Sequence, residues 1–514
     1  MVPVASASSP IRMMSLPTAL DPPPRWKVQD EHRTPLSRRF VRRTLTEHTG
    51  TSSTARGRYD VGLAVIGSGG AAMAAAIEAR RRGATAVVIE RGILGGTCVN
   101  RGCVPSKALL AAAGARHAAL TNPFPGVPTG AGDVDLAALM DQKDGLVSFL
   151  RQAKYADVAA AHGFKIVEGE ARFRDPETLE VDGRPLRARG YVVATGAQPH
   201  IDGITGLEQV EYLTSTTAME LRELPASLVV IGGGYVGMEQ AQLFAHLGTR
   251  VTVVGRLAPH TEPELAAVMR RVFADDGITM IEEHAVTVAN LGGGVVVTTV
   301  SGARVEAQRV LVATGRRPDT TALNLPAAGV AIDDRGFVVV DEHHATGNPR
   351  VHAAGDVAGT PQYVYVAAAS GHVAAANALE PEGQRIVDYT GLPAVTFTRP
   401  QVASAGLTEA AALGAGFSCD CRVLDLADVP RALVNRDTRG AVKLVADTDT
   451  RRVLGMHAVA DGAGEIMLAA TYAIKTRMTV DDLANTWAPY LTMAESLRLA
   501  AGLFRDQMPT SCCA

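Results

Sequence analysis

One short design occurs twice in this chain. Asp60-Val-Gly-Leu-Ala-Val-Ile66 is an apolar strand that runs into Gly67-Ser-Gly69-Gly-Ala-Ala72 and an Ala-rich helix ending near Arg82. Ala86-Val-Val-Ile89 follows as a second strand and stops at Glu90. Later, Leu228-Val-Val-Ile231 leads into Gly232-Gly-Gly234-Tyr-Val-Gly237, a helix through Leu247, and the strand Arg250-Val-Thr-Val-Val254. A glycine triplet alone is a weak signal; one set between a strand and a helix is a βαβ nucleotide fingerprint. Each copy is followed, about 80–125 residues on, by one shared phrase, Ala194-Thr195-Gly196 and Ala313-Thr-Gly315. The chain therefore carries two dinucleotide-binding domains.

The glycines have a mechanical task. The first (Gly67, Gly232) permits the tight turn, and the second (Gly69, Gly234) lets backbone N–H groups approach a pyrophosphate at the helix N-terminus. The third position keeps helix and strand close; Ala72 fills it in the first copy and Gly237 in the second. The end of the next strand selects the nucleotide. Glu90, 23 residues after Gly67, suits a ribose 2′-hydroxyl. The same count from Gly232 reaches Gly255, with Arg256 beside it. Lacking the carboxylate and offering a guanidinium, that second site is expected to take a 2′-phosphate, hence NADPH rather than NADH.

Composition narrows the rest. At roughly 100–200 residues per domain, 514 residues suggest three or four domains. Apolar residues are 47% and charged residues 20%, enough for buried cores and a polar exterior, and aromatics are only 4%. The net charge of −3 speaks against a basic nucleic-acid-binding face. No apolar run has the character of a membrane span; the nearest, residues 61–77, is broken early by glycines. Residues 1–58 stand apart, with ten Lys/Arg against four Asp/Glu and no sustained period, and are expected to form a disordered leader. The paired arginines 38–39 and 42–43 lack the apolar segment an export signal needs. The expected architecture is α/β: two Rossmann-like dinucleotide-binding domains plus a C-terminal α+β dimerisation domain. The first nucleotide domain is assigned to residues 59–200 and 326–390, the second to 201–325, and the α+β domain to 391–514. Within the last, residues 429–436 read as a loop and 464–477 as a helix.

Six cysteines are too few for a disulfide-stapled scaffold, so each is read for reactivity. Cys98 and Cys103 lie in Gly-Gly-Thr-Cys98-Val-Asn-Arg-Gly-Cys103-Val-Pro-Ser-Lys107, just before an apolar helical run at 108–113. The second sulfur therefore sits near a helix N-terminus, where the dipole favours a thiolate, and one helical turn brings the two within disulfide reach. A zinc half-site lacks a second Cys/His pair at suitable spacing, so a redox pair is the better reading. At this point the chain, from Tyr59 to its end, resembles the flavin-dependent pyridine-nucleotide disulfide oxidoreductases, which include glutathione reductase and dihydrolipoamide dehydrogenase. The resemblance implies FAD on the first βαβ unit and on Gly355-Asp356, with Cys103 as the thiolate facing the flavin and Cys98 as the interchange thiol. It places Lys107 near the flavin ring and Glu239 near the nicotinamide. It further implies that Gly92, Thr97, Ala171, Thr195, Gly196, Gly315 and Val364 border the nucleotides, and that two chains form a homodimer with shared active sites.

The chain departs from the thiol-disulfide reductases in one place. Their C-terminal His-Pro-Thr-x-x-Glu phrase reads here Tyr490-Leu-Thr492-Met-Ala-Glu495. A phenol with a pKa near 10 is a poor base at neutral pH beside an imidazole near 6.5. The chain ends Ser511-Cys512-Cys513-Ala514, which is not a prenylation box. Two soft sulfurs on a tail expected to be mobile suit a thiophilic ion. Together these residues resemble the mercuric reductases, the branch of the family that reduces Hg(II) to Hg(0). That resemblance implies Hg(II) ligation by Cys98, Cys103, Cys512 and Cys513, with Tyr490 and Tyr155 near the metal; from the residues alone, Tyr155 reads as a surface helix position. It implies NADPH, FAD, a cytoplasmic setting and Hg(II) delivered as thiol complexes for mercury detoxification. No cysteine precedes Cys98, so the N-terminal metal-binding domain many of these enzymes carry is not expected. Cys419 and Cys421 read as bystanders rather than a third metal site, and His352 as a packing residue. The rivals are a dihydrolipoamide dehydrogenase-like disulfide reductase and a flavoprotein that only sequesters metal. NADPH oxidation with and without Hg(II) separates all three.

Overall fold

The computed structural model describes residues 59–201 and 203–505. The expected leader, 1–58, and the terminal pair Cys512–Cys513 lie outside the described residues.

Strands Val61–Ile66, Ala86–Glu90, Ala188–Val193, Lys165–Glu168 and Val351–Ala353 form the first sheet, every pairing parallel. The second sheet joins Ser227–Ile231, Arg250–Val254, Arg309–Val312, Thr279–Ile281 and Tyr212–Thr214 in the matching spatial order, again all parallel. Parallel strands are covered on both faces by their crossovers, which is why they read as unbroken Val/Ile/Leu runs. Register sets the function of the sheet edge. Ile66 lies level with Ile89 and Val193, and Val193 with Ala353, so the turns that follow share one rim. In the second sheet Ile231, Val254 and Val312 are level in the same way. Ligands of open parallel sheets bind beyond such carboxyl ends.

Each sheet carries a three-stranded antiparallel excursion, Ala171–Asp175, Thr178–Val181 and Arg184–Leu186 in the first, Ala285–Leu291, Gly294–Thr299 and Arg304–Ala307 in the second. The duplication therefore extends beyond the glycine motifs. The chain re-enters the first unit after the second: helix Val364–Leu379 packs on helix Gly70–Arg81 so closely that a Cβ at Gly371 would stand 2.1 Å from the Ala71 carbonyl oxygen. Alanine and glycine on both helices make that approach possible.

The C-terminal unit is an antiparallel sheet in the order Pro393–Thr396, Gln401–Gly406, Val453–Ala460, Ala441–Asp447, Cys419–Asp425. Helices Ala463–Lys475 and Glu495–Gly502 bury Ile466, Met467, Leu497 and Leu499 in its core. The expected loop at 429–436 contains a short helix instead, Pro430–Asn435. Pro430 opens it, at the one helical position where a missing N–H costs nothing.

Candidate active site

Cys98 and Cys103 do not share one helical turn. Cys98 sits within the short helix Gly96–Asn100, and a new helix, Cys103–Leu120, begins at the second cysteine with Gly102 as its N-cap. The break at Arg101-Gly102 puts Cys103 in the first turn of an 18-residue helix, among free backbone N–H groups that stabilise negative charge. Both sulfurs are free thiols in this structure. The Cys98 thiol hydrogen-bonds to Cys103, which draws Cys103 down to about 7, with the Lys107 ammonium helping against burial. The same contact, reinforced by burial, holds Cys98 well above the ordinary thiol range. The pair is thus polarised, with Cys103 the thiolate.

Lys107, one turn along the same helix, joins the two nucleotide units. Its Nζ lies 2.8 and 2.9 Å from the two carboxylate oxygens of Glu239, on helix Tyr235–Leu247 of the second unit. Glu239 is only 7% exposed and also accepts from the Phe397 backbone N–H at 2.9 Å. The Lys107 ammonium lies 4.6 Å from the Phe397 ring centre, so all three units meet at this ion pair.

Tyr155 occupies a π-helical turn, Gln152–Ala156, between two α-helical segments, and such turns recur at functional sites. Its ring packs beside Gly95, and burial together with Cys98 and Cys103 pushes its phenol up to about 12. It is not the surface helix position its neighbours in sequence suggest. Tyr490 is elsewhere: it stands 50% exposed on the segment ahead of helix Glu495–Gly502, in the C-terminal unit. Leu468 and Tyr472 are also exposed in that unit, and Trp487 almost fully so.

The nucleotide turns have the required shape. Gly67 has φ +104°, and a Cβ there would meet the Ala194 carbonyl oxygen at 2.4 Å; Gly232 has φ +110° and the same clash with Ala313. Beyond them the turns are open. An added Cβ at Gly234 meets nothing within 4 Å, and at Gly69 only the Gly96 Cα at 3.8 Å, which leaves room for a pyrophosphate in each. Ala72 and Gly237 are buried between helix and sheet. Glu90 accepts from Ser68 Oγ at 2.5 Å and from the Gly92 N–H at 2.8 Å, holding a carboxylate at the first rim. At the second rim Gly255 has φ +133° and lies against Gly232 and Gly233, while Arg256 is exposed. Thr195 lies against Gly67, with Gly196 next in the chain at φ +71°, and Gly315 occupies the corresponding place after Arg309–Val312. Gly355 packs against Ala71 and donates to Ser370 Oγ at 2.9 Å; burial raises the Asp356 carboxyl beside it, against the pull of Arg316. Val364 starts its helix against Gly70. Ala171 is buried at the start of its strand, in the core beneath the first sheet. The first turn, open and bordered by the Glu90 carboxylate, has room for a pyrophosphate and an acceptor for one ribose diol, and the second is open to a dinucleotide pyrophosphate in the same way.

Three neighbours escape motif reading. Arg316 is largely buried; it donates to the Ala197 carbonyl and lies close to Asp356 and Cys103. Its position directly after Ala313-Thr-Gly315 is the only signal in the sequence. Tyr365 donates to the Pro393 carbonyl and is pushed up to about 12, by burial first and then by Cys103. Phe397 comes from the third unit. His352 is buried on strand Val351–Ala353, and burial pushes it down to about 4.

Comparison with known proteins agrees with this geometry. Residues 61–371 match the model of the pyridine nucleotide-disulphide oxidoreductases, and 392–501 that of their dimerisation domain. The chain is 51% identical over 483 residues to the mercuric reductase of Streptomyces lividans, covering 91% of this chain and all of that one. It is 47% identical to the mercuric reductase of Lysinibacillus sphaericus, covering 89% and 84%. Among solved structures, the HOCl-induced flavoprotein disulfide reductase RclA from Escherichia coli superposes with a TM-score of 0.77 at 28% identity, over 86% of this chain and 99% of that one. A duplicated nucleotide fold, a polarised cysteine pair and similarity over nine-tenths of the chain lead to one conclusion: it belongs to the pyridine nucleotide-disulphide oxidoreductase family, in its mercuric reductase branch.

Proposed function

We propose that this protein reduces Hg(II) to Hg(0) at the expense of NADPH, the net reaction being Hg(II) plus NADPH to Hg(0), NADP⁺ and a proton. What carries the reading is the polarised Cys98–Cys103 pair beside the Lys107–Glu239 bridge between two nucleotide folds, with Tyr490 where thiol-disulfide reductases carry histidine. Residues 67–72, Glu90 and Gly355–Asp356 would hold FAD, and 232–237 with Arg256 would hold NADPH. Bound FAD supplies a two-electron relay from the nicotinamide to the metal held at the cysteine pair.

The protein's own groups do the rest. Cys103 offers a thiolate near neutral pH, and Cys98 releases its proton as Hg(II) replaces it. Two thiolates satisfy the soft ion, and it leaves as the uncharged atom once reduced. Tyr155 closes the space beside the pair with a phenol that stays protonated, so it can donate a hydrogen bond to a thiolate but does not compete with the cysteines for the metal. Lys107 is held in place by Glu239, which accepts from its Nζ with both carboxylate oxygens.

The matched dimerisation domain supports a homodimer, and the exposed Trp487 and Tyr490 are suited to meet a partner subunit. In the dimer, Cys512 and Cys513 of one chain capture Hg(II) from thiol complexes and pass it to Cys98 and Cys103 of the other. A cytoplasmic setting suits this chemistry, since it supplies NADPH and keeps thiols reduced. Among the described residues no helix is long and apolar enough to cross a membrane. Hg(II)-dependent NADPH oxidation in excess thiol tests the reading. Oxidation that needs no Hg(II), or that instead follows added lipoamide-type disulfides, would replace it with a disulfide reductase.

A further inference from the structure

Cys419 and Cys421 lie on strand Cys419–Asp425, which among the described residues pairs only with Ala441–Asp447 and forms one edge of the C-terminal sheet. Alternation along a strand puts residues two apart on one face. Leu424, on the opposite face, is in the helical core, so both cysteines face away from it. Both are free and partly exposed.

Their spacing decides what they can do. Residues two apart on a strand have Cβ atoms roughly 6.6 Å apart, while a disulfide needs about 3.5–4.5 Å. The pair cannot close on itself without breaking the strand. An ion held between two thiolates by bonds of about 2.3 Å needs sulfurs about 4.6 Å apart, which two Cβ–S bonds leaning inward provide.

The surroundings favour a cation. Across the ladder, Cys419 faces Asp447 and Cys421 faces Val445. On the same side the Glu409 carboxylate lies near the Cys421 thiol and, after burial, helps push it up to about 12. Glu409 shares the buried Lys443 ammonium with Glu262 and Glu264, at 2.7, 3.0 and 3.0 Å. Three carboxylates around one ammonium leave a net negative field, and Asp420 is already paired with Arg422. His457 near Glu262 is held neutral by burial and does not offset that field.

We propose that Cys419 and Cys421 form a second thiolate site, which takes a two-coordinate soft ion, Hg(II) in the first place, with Glu409 alongside. Loading is an exchange: both thiols lose their protons to the departing thiolates of the incoming complex, two S–Hg bonds form and two break. No electrons move. A dication replaces two protons, so the local charge is unchanged and the carboxylates do not oppose it. The site lies outside the redox centre and binds without turnover, so it stands or falls independently of the activity proposed above.

The test uses the full-length, FAD-loaded protein with Cys98, Cys103, Cys512 and Cys513 all replaced by serine. It is incubated with mercuric chloride in excess glutathione, desalted, and its mercury counted per chain. One ion per chain is expected, with loss of both remaining thiols to a thiol reagent and a new ultraviolet sulfur-to-mercury band. Cys419→Ser or Cys421→Ser alone should weaken retention about tenfold or more, because a single thiolate lacks the effective concentration of a pair. Retained FAD and an unchanged far-ultraviolet spectrum show that the variants fold. No retained mercury, two ions per chain bound one to each sulfur, or retention unaffected by either single change would overturn the proposal.

Discussion

The charge on Cys103 is set by three neighbours that act in different directions, and this makes it testable. Cys98 donates to it and Lys107 attracts it, while burial and Glu239 oppose ionisation. In the reduced protein, alkylation of Cys103 should therefore follow pH with a midpoint of about 7 and slow as the pH falls below it. Cys98→Ala removes the largest favourable contribution, so the midpoint should climb toward the ordinary thiol value near 8.5, with alkylation about tenfold slower at pH 7. Lys107→Met should move it upward by less, and Glu239→Gln downward. A midpoint indifferent to Cys98 would mean that Lys107 and the helix N-terminus make the thiolate without it. Arg256 permits a second measurement. NADPH should exceed NADH by at least tenfold in kcat/KM, about 1.4 kcal/mol, and Arg256→Ala should abolish most of that preference. Equal use of both nucleotides by the unaltered protein would show that Arg256 does not reach the 2′-phosphate.

At the scale of elements, the second glycine turn separates packing from binding. A Cβ at Gly237 would stand 1.8 Å from the Gly232 carbonyl oxygen, so Gly237→Ala must push helix Tyr235–Leu247 off its sheet. Overpacking of this kind costs about 1–3 kcal/mol, and Glu239 and the Lys107 pair would shift with the helix. Gly234→Ala is the opposite case, since an added methyl meets nothing within 4 Å in the protein itself. Its melting temperature should be unchanged, with a stability effect within about 0.5 kcal/mol, yet its Kd for NADPH should rise because the methyl occupies the pyrophosphate's space. Fluorescence titration with NADPH alongside thermal unfolding distinguishes the two. If Gly234→Ala binds NADPH normally, the nucleotide does not lie on that turn.

For the whole molecule, the proposal that two chains complete each site makes a complementation experiment decisive. Deleting Cys512 and Cys513 should leave the flavin spectrum and the Cys98–Cys103 chemistry intact, since those belong to another unit. Turnover of Hg(II) held by bulky thiols should fail, because an incoming thiolate is needed to displace them. Small Hg(II) complexes should suffer a milder loss. Mixing the tail-less chain with a Cys98→Ala chain should restore about one working site per mixed dimer. Proven heterodimers with no recovered activity would remove the tail from the partner's site. Trp487, 97% exposed, gives a further test: Trp487→Asp should weaken self-association in sedimentation measurements while FAD stays bound.

The parts of this protein written in local pattern were legible without coordinates. Strand, glycine turn and helix are contiguous, so the two nucleotide folds, the Glu90 and Gly255 contrast and the placement of Cys103 at a helix start all follow from short-range sterics and hydrogen bonding. Helix Ala463–Lys475 was likewise readable from its apolar run, whereas Pro430–Asn435, at six residues, was too short to show a period. What the tertiary structure alone decided are the encounters between distant segments. Lys107 and Glu239 are 132 positions apart, and their pairing depends on how two separately folded sheets dock. Arg316 near Cys103, Phe397 over Lys107, and the packing that turns Tyr155 inward are of the same kind. So is the shared face of Cys419, Cys421 and Glu409, where alternation was visible but the third partner was not. Local backbone preference is encoded residue by residue, but the field around a buried charge is a sum over neighbours that only folding brings together.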